Sequence, residues 1–508
     1  MSNRLNRRDF LRLASYLSFG LALPPLAKTL NPLQPLQGNK KNVIILVFDA
    51  FSAFHLPIYG YSRNTTPNIS RLAERAIVYH NHYAGANFTT TGTASLLTGA
   101  LPWSHRAFQQ YGEVQESFVN KNIFKAFEDY HRLAYSHNPL VNVLFHQFTR
   151  DLDDYIPAER FMLTSEGFIP SLFARDEDIA TVGWTRAMKK DEEGSSYSLF
   201  LSELYKSYQD HRIAAYKPFF PSGLPSVEPG NYFLLEQAMD RIADQLERTS
   251  QPFFGYFHFM PPHAPCTTHR DFEGSFRNDH LKTDPKPEDI FTQNRSWELL
   301  LRQRLSYDEY ILYLDREFGR FFDFLETSGL LKDTWVVLTS DHGELFERGI
   351  RGHITPVLYQ PVVRVPLLIF EPGREQGANI YSSTSAADLL PTLLHVTGGK
   401  PADWTDGAVL PPFADAAQSR NIYAMHAMKN DPRAPLVHAS VMLVQGQYKL
   451  MYIFGYKELP DQAGRFELYD IESDPGELMN LYTKQNKTGA ALLEQLREKL
   501  EEVNQPYR

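Results

Sequence analysis

A single cysteine, Cys266, stands in 508 residues, and that scarcity removes whole classes of protein from consideration. Disulfides within the chain are excluded, and so is a metal cage built from thiolates. Positive charge is also in short supply, with 51 Lys and Arg against 60 Asp and Glu and a formal net charge of −9. A general nucleic-acid binder shows a basic patch or stripe, so nucleic-acid binding is not expected. Long apolar runs are missing as well: no segment approaches the roughly 20 residues of a membrane span. There is no internal repeat and no low-complexity tract. Hydrophobic residues at 43% and charged residues at 22% are the balance of ordinary globular material, long enough to bury a large core and to divide into more than one unit.

The N-terminus has its own character. Asn6-Arg7-Arg8-Asp9-Phe10-Leu11-Arg12 precedes an uncharged, modestly apolar stretch from Leu13 to Leu26. This is the layout of a twin-arginine signal over residues 1–27. It implies export of the folded protein to a periplasmic, extracellular or cell-surface location, with a cut after Ala27 or an uncleaved anchor as the only membrane contact. An amphipathic first helix with incidental arginines is the plainer alternative. Residues 28–41 then read as a linker.

Short acidic motifs end two apolar runs. Val43 to Phe48 leads into Asp49, and Thr334 to Leu338 leads into Ser340-Asp341-His342-Gly343-Glu344. Both runs are short, rich in β-branched and aromatic residues, and apolar on both faces, as buried strands of a parallel sheet are. Phe253 to Phe259 is a third, running into Met260-Pro261-Pro262-His263-Ala264-Pro265. Ligands in open α/β sheets bind beyond the carboxyl ends of the strands. Two Asp and one His at such ends can therefore converge on one metal ion.

Between these strands, helical periodicity predicts helices over Asn68 to Val78, Phe124 to Tyr130, Asn231 to Arg248 and Tyr307 to Thr327, with a further strand over Arg364 to Phe370. The alternation predicts an α/β fold with a doubly wound sheet. Residues 150–228 and 266–300 are less regular and read as insertions, with Lys189 to Gly194 strongly charged. A catalytic unit over residues 42–420 is expected, then a small C-terminal α+β subdomain over 421–508. That subdomain contains strand-like runs at Ala439 to Val444 and Tyr448 to Ile453 and a helix over Gly489 to Val503.

A hydroxyl-rich run supplies the reactive group: Asn87-Phe88-Thr89-Thr90-Thr91-Gly92-Thr93-Ala94-Ser95-Leu96-Leu97-Thr98-Gly99. Alone, such a run caps a helix. Beside Asp49 and Asp341-His342 it reads as a nucleophile at a helix N-terminus, where backbone N–H groups and the dipole hold an anion.

The ordered set of motifs resembles the sulfatase branch of the alkaline phosphatase superfamily over roughly residues 40–482. Tyr59-Gly60, Thr66-Pro67-Asn68-Ile69 and Ala94-Ser95-Leu96-Leu97-Thr98-Gly99 open it. His258-Phe259, Pro262-His263-Ala264-Pro265, Tyr313-Leu314-Asp315 and Ser340 to Glu344 continue it. Arg364-Val365-Pro366-Leu367, Asp388 to Thr392, Leu468-Tyr469-Asp470-Ile471 and Asp474-Pro475-Gly476-Glu477 close it. The resemblance implies an alkaline-phosphatase-like, mostly parallel sheet with helices on both faces and the small C-terminal subdomain.

Three departures narrow the chemistry that it implies. The Cys or Ser, x, Pro, x, Arg window that yields formylglycine in a sulfatase is here Thr89-Thr90-Thr91-Gly92-Thr93, so no aldehyde hydrate can form there. The register puts Thr89 at the nucleophile position, as in phosphodiesterases and phosphoethanolamine or phosphoglycerol transferases. The usual Asp-Asp pair is Asp49-Ala50, leaving Asp49, Thr89, Asp341 and His342 as the metal set. A Lys and His of the family are replaced within Ser136-His137-Asn138-Pro139, which makes His137 or Asn138 the candidate substrate contact. Cys266-Thr267-Thr268-His269-Arg270 imitates the formylglycine motif in the wrong place and without its Pro.

The expectation is an extracytoplasmic, metal-dependent hydrolase or transferase of phosphate esters or phosphodiesters acting through a covalent Thr89 intermediate. His263 or His353 would protonate the leaving group. The oxygen and imidazole donor set suits one divalent ion, Zn²⁺ or Mn²⁺ first, with Ca²⁺ or Mg²⁺ also compatible. A sulfatase working without formylglycine, and a non-catalytic binder of anionic glycans, are the alternatives. The partner in every case is an anionic phosphate or sulfate ester.

Overall fold

The computed structural model describes residues 40–163, 196–228, 230–279, 281, 283–415, 420–461, 463–483 and 487–508. The signal segment, nearly all of the linker and the charged Lys189 to Gly194 stretch lie outside the described residues. The centre is an eight-stranded sheet. Its strands in chain order are β1 (Asn42–Phe48), β2 (Ile77–Tyr79), β3 (His131–Ser136), β4 (Asp154–Ile156), β5 (Phe253–Phe259), β6 (Thr334–Thr339), β7 (Leu367–Phe370) and β8 (Ala378–Ile380). They lie side by side as β8-β2-β7-β6-β1-β5-β3-β4. All run parallel except β7, which is antiparallel to β2 and β6.

Helices cover both faces. Ile44, Leu46 and Phe48 of β1 pack in one core with helices α1 (Pro67–Ala73), α4 (Leu235–Leu246) and α5 (Trp297–Thr327). Val43, Ile45 and Val47 face the other way, toward α2 (Thr89–Thr98), α3 (Pro139–Gln147) and α6 (Leu389–Val396). Strict alternation along β1 buries both sets completely, which is why that segment reads as an unbroken apolar run rather than as an alternating one.

Several expected boundaries move. The expected helix over Asn68 to Val78 ends at Ala73, and its tail, Ile77–Tyr79, becomes β2 because its backbone pairs with β7 and β8. The Phe124 to Tyr130 helix shrinks to Ile123–Ala126, started by the Asn122 side chain accepting from Lys125 N–H. The helix expected from Asn231 starts at Leu235, since Asn231–Tyr232 pairs in a hairpin with Ser226–Glu228. The Tyr307 helix begins ten residues earlier, at Trp297, capped by the Ser296 hydroxyl. The strand expected from Arg364 begins only at Leu367.

The C-terminal part is a four-stranded antiparallel sheet, β9 (Ile422–His426), β10 (Ala439–Gln445), β11 (Tyr448–Phe454) and β12 (Arg465–Asp470), with α7 (Lys487–Asn504) packed on it. A buried ion pair ties it to the catalytic side. Lys449 Nζ lies 2.6 Å from Glu477 Oε1 and donates to Leu358 O at 2.6 Å, while Gln360 N–H donates to Glu477 Oε2 at 2.7 Å. Both side chains are wholly buried. Removing one partner strands the other charge. Lys449→Met should therefore cost about 3–5 kcal/mol, read as a lower urea midpoint at unchanged slope. A loss under about 1 kcal/mol would show that the pair contributes as little as a surface bridge.

Candidate metal and ester-hydrolysis site

Four adjacent strands, β6, β1, β5 and β3, each deliver a polar group at the same end. Val47 pairs with Thr339 on one side and with His258 on the other, and His258 pairs with Ser136. Asp49, Asp341 and Asn138 each lie two residues beyond those paired positions. Parallel strands in register thus bring them, with His258, to one point.

The strand ends are stitched by Ser340, whose hydroxyl donates to Phe48 O at 2.6 Å and accepts from Phe51 N–H at 2.9 Å. Ala50 holds a left-handed φ of 60°, and its N–H points at Asp341 Oδ1 at 3.3 Å. Helix α2 closes the site from above. A Cβ at Gly92 would lie 2.2 Å from Asp341 O, so glycine there lets the helix approach the acidic loop.

Asp49, Asp341 and His342 offer ligand atoms that all lie within 4.8 Å of one another. His342 Nε2 is 3.5 Å from Asp49 Oδ1, 3.5 Å from Asp341 Oδ2 and 3.2 Å from Thr89 Oγ1. Atoms bonded at about 2.0–2.2 Å around a tetrahedral ion stand roughly 3.2–3.6 Å apart, so these spacings fit a divalent cation. Two further facts agree. Asp49 Oδ1 and Asp341 Oδ2 are buried with no hydrogen-bond partner among the described residues, which is costly for carboxylate oxygens unless a cation meets them. His342 Nδ1 lies 2.9 Å from Gly343 O; a carbonyl can only accept, so Nδ1 carries the proton and Nε2 presents its lone pair.

The electrostatics are those of a site built around positive charge. Burial, then the neighbouring Asp49 charge, pushes Asp341 well above the usual carboxylate range. Burial acts upward on Asp49 too, but the neighbouring His263 and His258 outweigh it and hold that carboxyl low. Burial and the proximity of His353 push His342 well below the ordinary histidine value, keeping it neutral.

Among the neighbouring threonines only Thr89 engages the site. The Thr91 hydroxyl donates to Ala107 O at 2.6 Å, and the Thr90 hydroxyl is buried without a partner among the described residues. Thr89 is the first residue of α2, after extended Phe88. Its hydroxyl therefore stands where the helix offers unpaired N–H groups.

Thr89 also lines a cleft of about 220 Å³ together with Phe88, Tyr111, Asn138, His263 and His353. His353 stacks on His342 with ring centroids 4.2 Å apart and lies 5.0 Å from the His263 ring. His353 Nδ1 contacts Glu344 Oε2 at 2.6 Å. Burial pulls His353 down, but the Glu344 carboxylate outweighs it and raises the imidazole above its ordinary value. His263 Nδ1 lies 2.7 Å from Ala264 O, which protonates that nitrogen and leaves Nε2 as the acceptor.

The two candidate substrate contacts stand differently. His137 does not reach the cleft: it is buried, its ring 4.1 Å from that of Phe233, and Met260 N–H lies 3.4 Å from its Nδ1. Burial lowers it to about 3, so it is a neutral core histidine, placed one residue after the strand where alternation turns it into the apolar face. Asn138 does line the cleft, but its amide is already engaged. Nδ2 donates to Asp49 Oδ2 at 2.5 Å, and Oδ1 accepts from Leu140 N–H at 2.8 Å. It positions Asp49 and starts α3.

His258 and Glu344 had no place in the expected site. The signal for His258 was its position as the last-but-one residue of a buried strand, one strand away from Asp49. Cys266 lies elsewhere, beside a separate cavity with Ser222 and Glu309, and burial pushes its thiol up to about 12.

Strand-end acids, an imidazole and a helix-borne hydroxyl meet at one point of an alkaline-phosphatase-like fold. The sulfatase family profile matches residues 41–144 and 168–399, and a profile for the C-terminal part of N-sulphoglucosamine sulphohydrolase matches residues 355–506. The chain belongs to the sulfatase family and is a sulfatase-family hydrolase. It is 24% identical over 474 residues to choline-sulfatase of Rhizobium meliloti, covering 87% of this chain and 82% of that protein. It is 22% identical over 496 residues to the multifunctional alkaline phosphatase superfamily protein PehA of Trinickia caryophylli, covering 87% and 91%. The phosphonate monoester hydrolase of Agrobacterium radiobacter shares the fold at a TM-score of 0.66, with 18% identity over 92% of this chain and 96% of that one. Sulfatase-family enzymes are metal-dependent, in keeping with the Asp49, Asp341 and His342 group.

Proposed function

We propose that this chain hydrolyses phosphate or phosphonate esters, phosphodiesters included, through a covalent intermediate on Thr89, with one divalent ion held by Asp49, Thr89, Asp341 and His342. The observation that carries this reading is the 3.2 Å approach of Thr89 Oγ1 to His342 Nε2 beside two orphaned carboxylate oxygens, where a sulfatase would need a convertible Cys or Ser. A bound ion would supply Lewis-acid activation of the hydroxyl and neutralise charge on the transferring group. The residues do the rest. Thr89 gives its hydroxyl proton to His263 Nε2 as its Oγ bonds phosphorus and the bond to the leaving oxygen breaks, and the first-turn N–H groups of α2 face the developing anion. His353, oriented by the contact of its Nδ1 with Glu344 Oε2, gives a proton to the leaving oxygen. It then takes one from the water that cleaves the Thr89–phosphorus bond. His263 Nε2 returns its proton to Thr89 Oγ as that bond breaks, which regenerates the hydroxyl.

Proton donation matters in proportion to the basicity of the leaving group. His353→Gln should cut kcat on the order of 10²–10⁴-fold for an alkyl leaving group and much less for a nitrophenolate, which departs unprotonated. Equal losses on both substrates would remove His353 from the acid role.

A panel of bis-aryl phosphate, aryl phosphonate, aryl monophosphate and aryl sulfate tests the substrate class, run on metal-stripped and refilled protein. Phosphorus esters turned over well above the sulfate support the reading. Preference for the sulfate would instead favour a sulfatase that uses threonine, a chemistry closer to the sulfatase relatives.

Export by the twin-arginine route belongs to the same reading, supported by Arg7-Arg8 ahead of the Leu13 to Leu26 stretch. Among the described residues no helix is long and apolar enough to cross a membrane. Fractionation of cells expressing the full chain should recover it outside the cytoplasm, and Arg7→Lys with Arg8→Lys should leave it inside.

A further inference from the structure

We infer that His258 is a further ligand of the metal centre, an inference that rests on the proposal that Asp49, Asp341 and His342 hold an ion. His258 Nε2 lies 3.3 Å from Asp49 Oδ2 and 3.7 Å from Asp341 Oδ2. These are close to the separations His342 Nε2 makes with the same two carboxylates, 3.5 Å and 3.5 Å. The orphaned Asp341 Oδ2 is therefore flanked by two imidazole nitrogens, and Asp49 turns Oδ2 toward His258 and Oδ1 toward His342.

The backbone fixes this placement. His258 is paired with Val47 across β1 and with Ser136 across β3, so it stands between the strands that lead into Asp49 and Asn138, and its Nε2 reaches Asp49 Oδ2. It is wholly buried, and its Nδ1 has no hydrogen-bond partner among the described residues. The ring meets the acids through Nε2, within hydrogen-bond distance of Asp49 Oδ2, so the nitrogen that faces both carboxylates is the one that would face the ion. A histidine that served only to neutralise the acids would become redundant once a divalent ion arrived. As a ligand it raises the protein donor set to two carboxylates, two imidazoles and one hydroxyl. That nitrogen content favours Zn²⁺ over Ca²⁺ or Mg²⁺, which take oxygen donors.

The test counts imidazoles on the metal. Stripped full-length protein is refilled with Co²⁺, histidine rings are ¹⁵N-labelled, and paramagnetically shifted ring N–H protons are recorded. The wild type should show two such signals, one from His342 and one from His258. His258→Gln should keep one and bind Co²⁺ more weakly by on the order of 10³-fold, beyond the roughly 10–100-fold typical of groups that only orient a ligand. One shifted signal in the wild type, or two that persist in His258→Gln, overturns the assignment while leaving the centre intact. Failure of the wild type to take up one equivalent of Co²⁺ overturns the centre itself, and this inference with it.

Discussion

Thr89→Ala should lower turnover of a phosphodiester by several orders of magnitude, on the order of 10⁴ or more, as loss of a covalent nucleophile does. The change removes the attacking oxygen and one donor near His342 Nε2 together. Stability should shift by less than about 1 kcal/mol, because the Thr89 hydroxyl does not cap the helix: Phe88 holds the cap position without a side-chain bond. Neighbouring threonines give the controls. Thr91→Ala forfeits its hydrogen bond to Ala107 O and should cost about 1 kcal/mol of stability, with activity nearly kept. Thr90→Ala breaks no hydrogen bond and should leave both nearly unchanged. Near-normal kcat in Thr89→Ala, with loss in either neighbour, would move the nucleophile by one or two residues. Activity retained in all three would end covalent catalysis from this loop.

Stripping divalent ions should abolish activity, and stoichiometric Zn²⁺ or Mn²⁺ should restore it. The stripped protein keeps two carboxylates buried side by side, each with an oxygen that has no hydrogen-bond partner among the described residues. An ion that binds only the folded state stabilises it by mass action, about 4 kcal/mol at a thousandfold excess over Kd. Refilling should therefore raise Tm by several degrees as well. Asp341→Asn should blunt both responses, since it withdraws one charged donor and leaves Asp49 alone to balance the ion. An unchanged Tm on refilling, together with full activity in the stripped protein, would contradict the metal reading on two independent observables.

The centre of this molecule was legible because buried parallel strands leave an unmistakable trace. Asn42–Phe48, Phe253–Phe259 and Thr334–Thr339 are apolar on both faces, and their ends carry Asp49, His258 and Asp341. Register does the rest, so residues almost three hundred apart meet without any local signal linking them. What sequence periodicity missed was decided by partners. Ile77 and Val78 continue a helical stripe, yet they become strand because β7 and β8 present open edges. His137 sits in the segment that replaces a family anion contact, but a one-residue step beyond β3 turns it into the apolar core against Phe233. Glu344 gave no sign of its part, since its contact with His353 Nδ1 depends on the turn between Leu345–Glu347 and Ile350–Gly352. The three threonines were indistinguishable by type, and the helix start separates them.

The most direct test of the account is to quench the metal-loaded enzyme during its first turnovers of a bis-aryl phosphate and fragment the resulting peptides by mass spectrometry. The account predicts a substrate-derived phosphoryl group on Thr89, formed within the burst and lost as turnover proceeds, and absent from Thr89→Ala. A burst of product with no adduct on Thr89, or an adduct on another residue, would contradict it.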